Sequence, residues 1–206
     1  MVDSPSRQVK AAEPMSSLIL ASASAYRAEL LSRLRLPFEI DPAGVDESAG
    51  ASETAERLAP RLARSKAEAV SVRRPGCWVL GSDQAAACMG QRLGKPGSRD
   101  AACAQLALMS GRSAAFVTAL ALVRSDMPRP LTDMDVTVVR VRRLSSAEIE
   151  RYVDAEAVLD CAGSFKVEGL GITLFEEVQS RDPTGLIGLP LIATARLLRK
   201  AGFELP

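Results

Sequence analysis

No histidine occurs anywhere in the 206 residues of this chain. That absence excludes Ser-His-Asp and Cys-His nucleophilic schemes and histidine-ligated zinc, so any hydrolysis has to run on carboxylates, lysines and a hard metal ion. Lysine is scarce too, five residues against 21 arginines. Neither sign of charge is in excess: 26 basic and 25 acidic residues leave a net +1. This removes the bulk electrostatic case for a nucleic-acid polymer or a membrane surface as partner and leaves room only for a local basic cleft. No apolar run approaches the roughly 20 residues that a membrane helix needs. Met1 to Ser17 has no apolar h-region and does not read as a signal peptide. Its Pro, Ser and charged content reads as a disordered lead over residues 1–16, with Met15 an alternative initiator, ahead of one domain over 17–206. Cys77, Cys88, Cys103 and Cys161 are spaced too unevenly for a zinc site or a CxxC motif. They are expected to be reduced and mostly buried thiols of a cytoplasmic protein.

What is present is a globular pattern, with 47% apolar residues to build a substantial core. Leu18 to Ala21 reads as a short buried strand and Tyr26 to Arg35 as a helix carrying Leu30, Leu31 and Leu34 on one face. Ser22-Ala23-Ser24 is then a strand-to-helix turn, either plain N-capping by Ser24 or a seat for phosphate on backbone N–H groups. Ser52 to Val72 reads as a long helix with Leu58, Leu62 and Val70 in one stripe. Lys66 falls on that stripe, where a lysine ordinarily snorkels from the edge of the core. A strand ending near Asp83, a turn at Met89-Gly90, a helix from Ser98 to about Ser110, and strands over Ala114 to Val123 and Thr132 to Val141 follow. Ser145 and Glu148 form a capping box for a short helix to Val153. Gly171 to Phe175 resembles a strand. Leu191 to Ala201 reads as a last helix with Leu191, Ala195 and Leu198 on one face, ended by Gly202. Irregular alternation with neighbouring strands in the middle points to an α/β fold with a mixed sheet.

Chemistry concentrates at Gly81-Ser82-Asp83-Gln84 and, ten residues on, Gly94-Lys95-Pro96. Trp78, Val79 and Leu80 read as the end of a buried strand, which puts Asp83 at its tip with an amide and an ammonium beside it. That set suits a phosphorylated ligand. Of the five lysines, Lys66, Lys95 and Lys166 each fall in a segment singled out on other grounds. A compact ammonium serves a phosphate cradle where a guanidinium fork does not always fit.

Together these segments resemble the Maf family of nucleoside triphosphate pyrophosphatases from about Leu18 to Phe203. The residues that carry the resemblance are LILASASAYRAELL from Leu18, VDES at Val45 to Ser48, LARSKAEAV at Leu62 to Val70, GSDQ with GKP, and VTALALV from Val117. AGSFKVEGLGITLFE from Ala162 and RDPTGLIGLPL from Arg181 complete the set. The resemblance implies an α/β fold with a mixed twisted sheet flanked by helices, inosine-triphosphatase-like, in two lobes around a nucleotide-binding cleft. It implies Asp83 as catalytic base, Tyr26, Gln84 and Glu168 as specificity residues, and Ser22, Ser24, Arg27, Lys66, Lys95 and Lys166 as phosphate contacts. A divalent cation, Mg²⁺ before Mn²⁺, would be held by Glu47 and Asp83. The implied partner is a small-molecule nucleotide, with a homodimer left open.

GSDQ, GSFK-x-EG and RDP-x-x-LIGLPL are similar to the subgroup that hydrolyses 7-methyl-GTP; the subgroup active on dTTP and UTP carries Arg, Thr and Gln at the positions of Tyr26, Gln84 and Glu168. N7-methylation makes guanine cationic, and an aromatic face attracts such a ring by about 0.5 to 2 kcal/mol. Glu168 can accept from the N–H donors of the base. The alternatives are dTTP/UTP hydrolysis, clearance of other modified purines, and a nucleotide-binding regulator of cell division without turnover. The family's usual turn has a proline and a second arginine where this chain has Ala25 and Ala28.

Overall fold

The computed structural model of the protein describes residues 17–206; the lead expected over 1–16, Met15 included, lies outside the described residues. Seven strands form one mixed sheet. β1 (Leu18–Leu20) is buried at all three positions and pairs in parallel with β2 (Phe38–Ile40) on one side and the start of β3 (Trp78–Cys88) on the other. β3 turns back through Met89 and Gly90, both at positive φ (52° and 76°), into β4 (Gln91–Leu93). Two successive left-handed residues are what a two-residue hairpin turn requires. Beyond β3 the order is β5 (Ser113–Val123), β6 (Leu131–Val141) and β7 (Phe175–Gln179), all antiparallel.

Side-chain alternation along β3 sorts the two faces of the sheet. Val79 and Ala85 pack with Ile19, Val117 and Ala119 under α2 (Ala55–Arg73), whose Leu58, Leu62 and Val70 supply the expected stripe. Trp78 and Leu80 face the other way, against α1 (Ala25–Ser32) and α5 (Leu191–Lys200). Further along that second face, Ala86, Cys88 and Phe116 join a core built with α3 (Arg99–Met109), α4 (Ser146–Ala155) and Phe165. The expected two lobes thus share one sheet, and β3 and β5 run through both. α4 carries the complete capping box at Ser145 and Glu148.

α2 lies unusually close to β3. A Cβ at Gly81 would meet the Ala63 carbonyl oxygen at 2.1 Å and the Ala67 nitrogen at 2.9 Å, so glycine on the strand and alanines on the helix are jointly required for this approach.

Several expectations need correction. β3 does not end at Asp83. Small apolar residues from Ala85 to Cys88 carry it on in register with β5 as far as Cys88 opposite Ala114, so Asp83 sits in mid-strand. It is nonetheless at an open edge, because β1 pairs only as far as Leu80 and β4 pairs only from Ala86. Residues 170–174 form a turn of 3₁₀ helix rather than a strand. The chain there must coil around Tyr152, since Gly171 lies so close to the Tyr152 hydroxyl and the Lys166 carbonyl that a Cβ would clash with both, and the Leu170 N–H is captured by Glu156 (3.0 Å). Of the apolar side chains in that segment, Ile172 is exposed and Leu174 is buried. On α5 the buried face is Ala193, Thr194, Leu197 and Leu198, rotated from the expected one, although Gly202 (φ 91°) ends the helix as anticipated. The cysteines are free, but only Cys88 is buried.

Replacing Gly81 by alanine should cost about 3 kcal/mol or more, the upper range for overpacking, because helix and strand backbones rather than a flexible side chain must give way. Urea unfolding of the variant measures this. Stability within about 0.5 kcal/mol of wild type, the range of a neutral surface change, would show that α2 and β3 are free to separate.

Candidate active site

The open edge of β3 is approached from both faces of the sheet. From one, α1 presents its N-terminus. Ser24 caps the helix, its Oγ accepting from the Arg27 N–H (3.4 Å). Ser22 Oγ accepts from the Ser24 N–H (3.2 Å) and from Arg27 Nη1 (3.3 Å). Arg27 Nε donates to the Gly188 carbonyl (3.0 Å), which also accepts from Ser82 Oγ (3.2 Å). Arg27 therefore has hydroxyl and carbonyl partners but, among the described residues, no carboxylate within salt-bridge distance. Desolvation holds its pKa below the ordinary guanidinium value, with the charges of Asp83 and Glu47 pulling the other way. Ala25 starts the helix without a proline, and Ala28 packs against the leucine core beneath, so the turn is held by its serines.

From the other face comes Lys66. It does not snorkel: it is 6% exposed, and its Nζ lies 2.6 Å from Asp83 Oδ1 and 2.8 Å from Glu47 Oε1. Asp83 is equally buried, while Glu47 is exposed. Burial raises the Asp83 pKa above the ordinary aspartate range; the Lys66 ammonium and then Arg27 oppose that rise, and Glu47 adds to it. Taking both ions out of water costs several kcal/mol each, which a single contact does not reliably return. A pair held this way is more economically explained by chemistry than by stability.

Between the lobes lies a cleft of about 1060 Å³. Every residue singled out from the sequence lines it: Ser22, Ser24, Tyr26, Arg27, Glu47, Lys66, Asp83, Gln84, Lys95, Lys166 and Glu168. Their surroundings differ. Lys95 and Glu168 are exposed and have no side-chain partner among the described residues. Lys166 Nζ lies 5.4 Å above the centre of the Tyr26 ring, and its backbone N–H is fixed by the Tyr152 hydroxyl (3.1 Å). Gln84 spends its amide nitrogen inside the protein, on Thr118 Oγ1 (3.0 Å), Gly185 O (3.0 Å) and Leu186 O (3.1 Å).

Arg92 and Cys161 also line the cleft and were not found from the sequence. Arg92 pairs across β4 with Ala87 and so shares the face of Asp83; its contacts, to the carbonyls of Gly50 and Glu53, are both at 3.4 Å. The signal for it was the Met89-Gly90 turn, which requires a returning strand. Cys161 approaches the Tyr26 hydroxyl at 4.0 Å, and burial pushes its thiol up to about 11, which leaves it protonated and unreactive.

As a metal site the donors are few. Among the described residues no group of three or more His, Cys, Asp and Glu side chains converges, and the two carboxylates expected to hold a cation both contact Lys66. Two carboxylates with phosphate oxygens and water still match Mg²⁺, which keeps most of its water in such sites.

An α/β sheet whose open edge carries a buried acid, between cations reaching in from both faces, is a setting that suits a small polyanion. The chain belongs to the Maf family: the family model described as Maf-like protein matches residues 17–201. It is 59% identical over 192 residues to a protein of Xanthomonas oryzae pv. oryzae named 7-methyl-GTP pyrophosphatase, covering 93% of this chain and 100% of that one. A Pseudomonas aeruginosa protein of the same name is 50% identical over the same shares of both chains. Among solved structures, a HAM1 protein from Coxiella burnetii aligns with 63% of this chain and 75% of its own at 21% identity and a TM-score of 0.44. No helix of the described residues is long and apolar enough to cross a membrane.

Lys66→Met should leave Asp83 buried without its ammonium. The raised Asp83 pKa then rises further, and the penalty for ionising it falls on the folded state above that pKa and vanishes below the unfolded one. The variant should be about 3 to 5 kcal/mol less stable than wild type at pH 7, as for a broken buried pair, and the gap should narrow as pH is lowered to 5. Urea unfolding at both pH values tests this, and an equal gap at each would show that Asp83 is not the group left stranded.

Proposed function

We propose that this protein hydrolyses 7-methyl-GTP between its α and β phosphates, giving 7-methyl-GMP and pyrophosphate, and so clears a modified nucleotide in the cytoplasm. The observation that carries the reaction type is Asp83, buried at the open strand edge with its pKa raised and Lys66 and Arg27 on either side. The substrate is supported by relatives of full matching length that bear the name 7-methyl-GTP pyrophosphatase and by Tyr26 and Glu168 in the same cleft.

The nucleotide lies across the edge of β3, its phosphates between Arg27 and Ser22 on one side and Lys66 on the other, with Lys95 reaching in from beyond β4. Lys66 supplies positive charge next to the acid it pairs, so that a tetra-anion can approach an ionised aspartate. Asp83 orients a water molecule against the α phosphorus and takes its proton as the phosphoanhydride breaks. A free aspartate, near pKa 3.9, is too weak a base for neutral pH; the upward shift from burial moves Asp83 in the useful direction. Asp83 and Glu47, with phosphate oxygens, are the donors for a divalent cation, Mg²⁺ by ligand type, which when bound would neutralise phosphate charge and acidify water. The pyrophosphate leaves as the group on which the cations have the strongest hold.

At the base end, Glu168 accepts from guanine N–H groups and the Tyr26 ring faces the cationic imidazolium. Lys166 covers that ring, so a methylated base exchanges one cation–π contact for another. The net gain is the difference between two terms of about 0.5 to 2 kcal/mol, not the whole of one.

Asp83→Asn should lower kcat by about 10² to 10⁴, the usual contribution of a general base, with little change in KM; pyrophosphate release from 7-methyl-GTP in the presence of Mg²⁺ measures it. A variant retaining more than about a tenth of the rate removes Asp83 from this role. Incubation of wild type with 7-methyl-GTP, GTP, dTTP and UTP in turn tests the substrate. In the Tyr26→Arg, Glu168→Gln double variant, preference should move toward the pyrimidine triphosphates, and an unchanged profile would refute the assignment of those two residues.

A further inference from the structure

Gln84 lies opposite Thr118 in the β3–β5 register, and both side chains face the loop that follows Asp182. Three acceptors surround the Gln84 amide nitrogen, and two of them, the Gly185 and Leu186 carbonyl oxygens, cannot donate. The third, Thr118 Oγ1, has one hydrogen, and the short contact to Gly185 O (2.8 Å) uses it, leaving the hydroxyl to accept from Gln84. Turning the amide over would set its oxygen against two carbonyl oxygens. The orientation is therefore forced by the network rather than chosen.

The acceptor cage is itself rigid. Asp182, buried, accepts from the Thr184 N–H (3.1 Å) and hydroxyl (2.6 Å) through one oxygen and from the Ile192 N–H (2.6 Å) through the other, tying both ends of the loop to the start of α5. A Cβ at Gly185 would lie 2.7 Å from Asp135 Oδ2, so the loop cannot carry a larger residue there. The remaining atom, Gln84 Oε1, has no partner among the described residues and is not buried, since the buried side-chain atoms lacking partners there are Arg74 Nε and Trp78 Nε1. Gln84 lines the cleft, and that oxygen is what it offers a ligand.

We infer that Thr118 is a positioning residue which, with the Gly185 and Leu186 carbonyls, locks Gln84 as an obligate acceptor for a hydrogen on the exocyclic amine of the base. Guanine has three donor hydrogens on one edge, one on N1 and two on the 2-amino group. The two oxygens of Glu168 take N1–H and one amino hydrogen as a fork, and Gln84 Oε1 takes the other. Uracil, thymine and hypoxanthine present a single N–H on the corresponding edge and leave acceptors unmatched, which is how a polar site rejects an analogue. This assignment rests on the proposed 7-methyl-GTP reaction and adds to it the edge of the base that is read.

The test compares 7-methyl-GTP with 7-methyl-ITP, which lacks only the amine, in the full-length chain. Wild type should prefer 7-methyl-GTP by about tenfold or more in kcat/KM, as expected for the loss of hydrogen bonds to a charged and a fixed acceptor. Thr118→Val, which keeps shape and removes the hydroxyl, should lower that ratio about threefold or more, mainly through KM for 7-methyl-GTP, while the amine hydrogen held by Glu168 keeps it above one; Thr118→Ser should keep it. A wild-type ratio near one overturns the reading of the amine, and a ratio unchanged in Thr118→Val overturns the role of Thr118, whatever that variant does to stability. Should Thr118→Val not fold, Thr118→Ala is measured in its place. If no pyrophosphate is released from 7-methyl-GTP the proposed reaction fails, while calorimetric affinities for 7-methyl-GMP and 7-methyl-IMP still decide between the same two outcomes for wild type and variants.

Discussion

A buried aspartate is paired in this protein with an ammonium brought to it from the facing helix, and the rest of the molecule is arranged around that pairing. Lys66 stands on a helix and Asp83 on a strand. Their contact at 2.6 Å needs the two backbones closer than ordinary side chains allow. Gly81, two residues along the strand from Asp83, makes that approach available together with Ala67, next to Lys66 on the helix, and Ala63, about a turn before it. The packing of small residues and the placement of charge are thus one feature. A leucine at Ala63 or a side chain at Gly81 would separate the pair before it disturbed anything else.

The same strand is exposed where it needs to be because its neighbours are short. β1 stops after three residues and β4 begins only at the far end, leaving Gly81 to Ala85 bare on one side. A bare edge is ordinarily a hazard, since unpaired peptide groups invite another strand. Here it is flanked by Arg27 on one face and Lys66 on the other, and charge at an edge is one of the usual protections against such pairing. The cations that line the cleft and the guard on the edge are the same residues.

Much of this was legible in the sequence, and the parts that were not share a cause. Helices announced themselves through caps and stripes: Ser98, Ser145 with Glu148, and the leucines of α2 all mark elements that exist. All eleven residues chosen for chemistry, most of them through the family resemblance, line one cleft. What failed depended on partners distant in sequence. Asp83 seemed terminal because GSD looks like a break, whereas pairing with β5 thirty-odd residues later carries the strand through it. Lys66 read alone is a snorkelling lysine; only Asp83 across the interface makes it a buried one. Arg92 was invisible because a three-residue strand has too few positions to show alternation. The 3₁₀ turn at 170–174 imitates a strand in its pattern and is coiled only because Tyr152 and Glu156 hold it from outside.

Adjacent residues of a strand point to opposite faces, and this protein uses that to divide its chemistry. Asp83 faces the helix that supplies a cation, and Gln84 faces a loop that supplies carbonyl oxygens. Each is held by what its face provides, yet both reach the cleft because the edge between them is open. On the function proposed above, the cleft separates a cationic base from a neutral one. Lys166 rests over Tyr26, so any base that stacks on that ring must first send an ammonium back to water. A neutral guanine loses the cation–π contact and returns none, whereas a 7-methylguanine restores it with its own charge. Discrimination at Tyr26 therefore comes less from attraction to the right base than from what the wrong one forfeits, and it depends on Lys166 being there before either arrives.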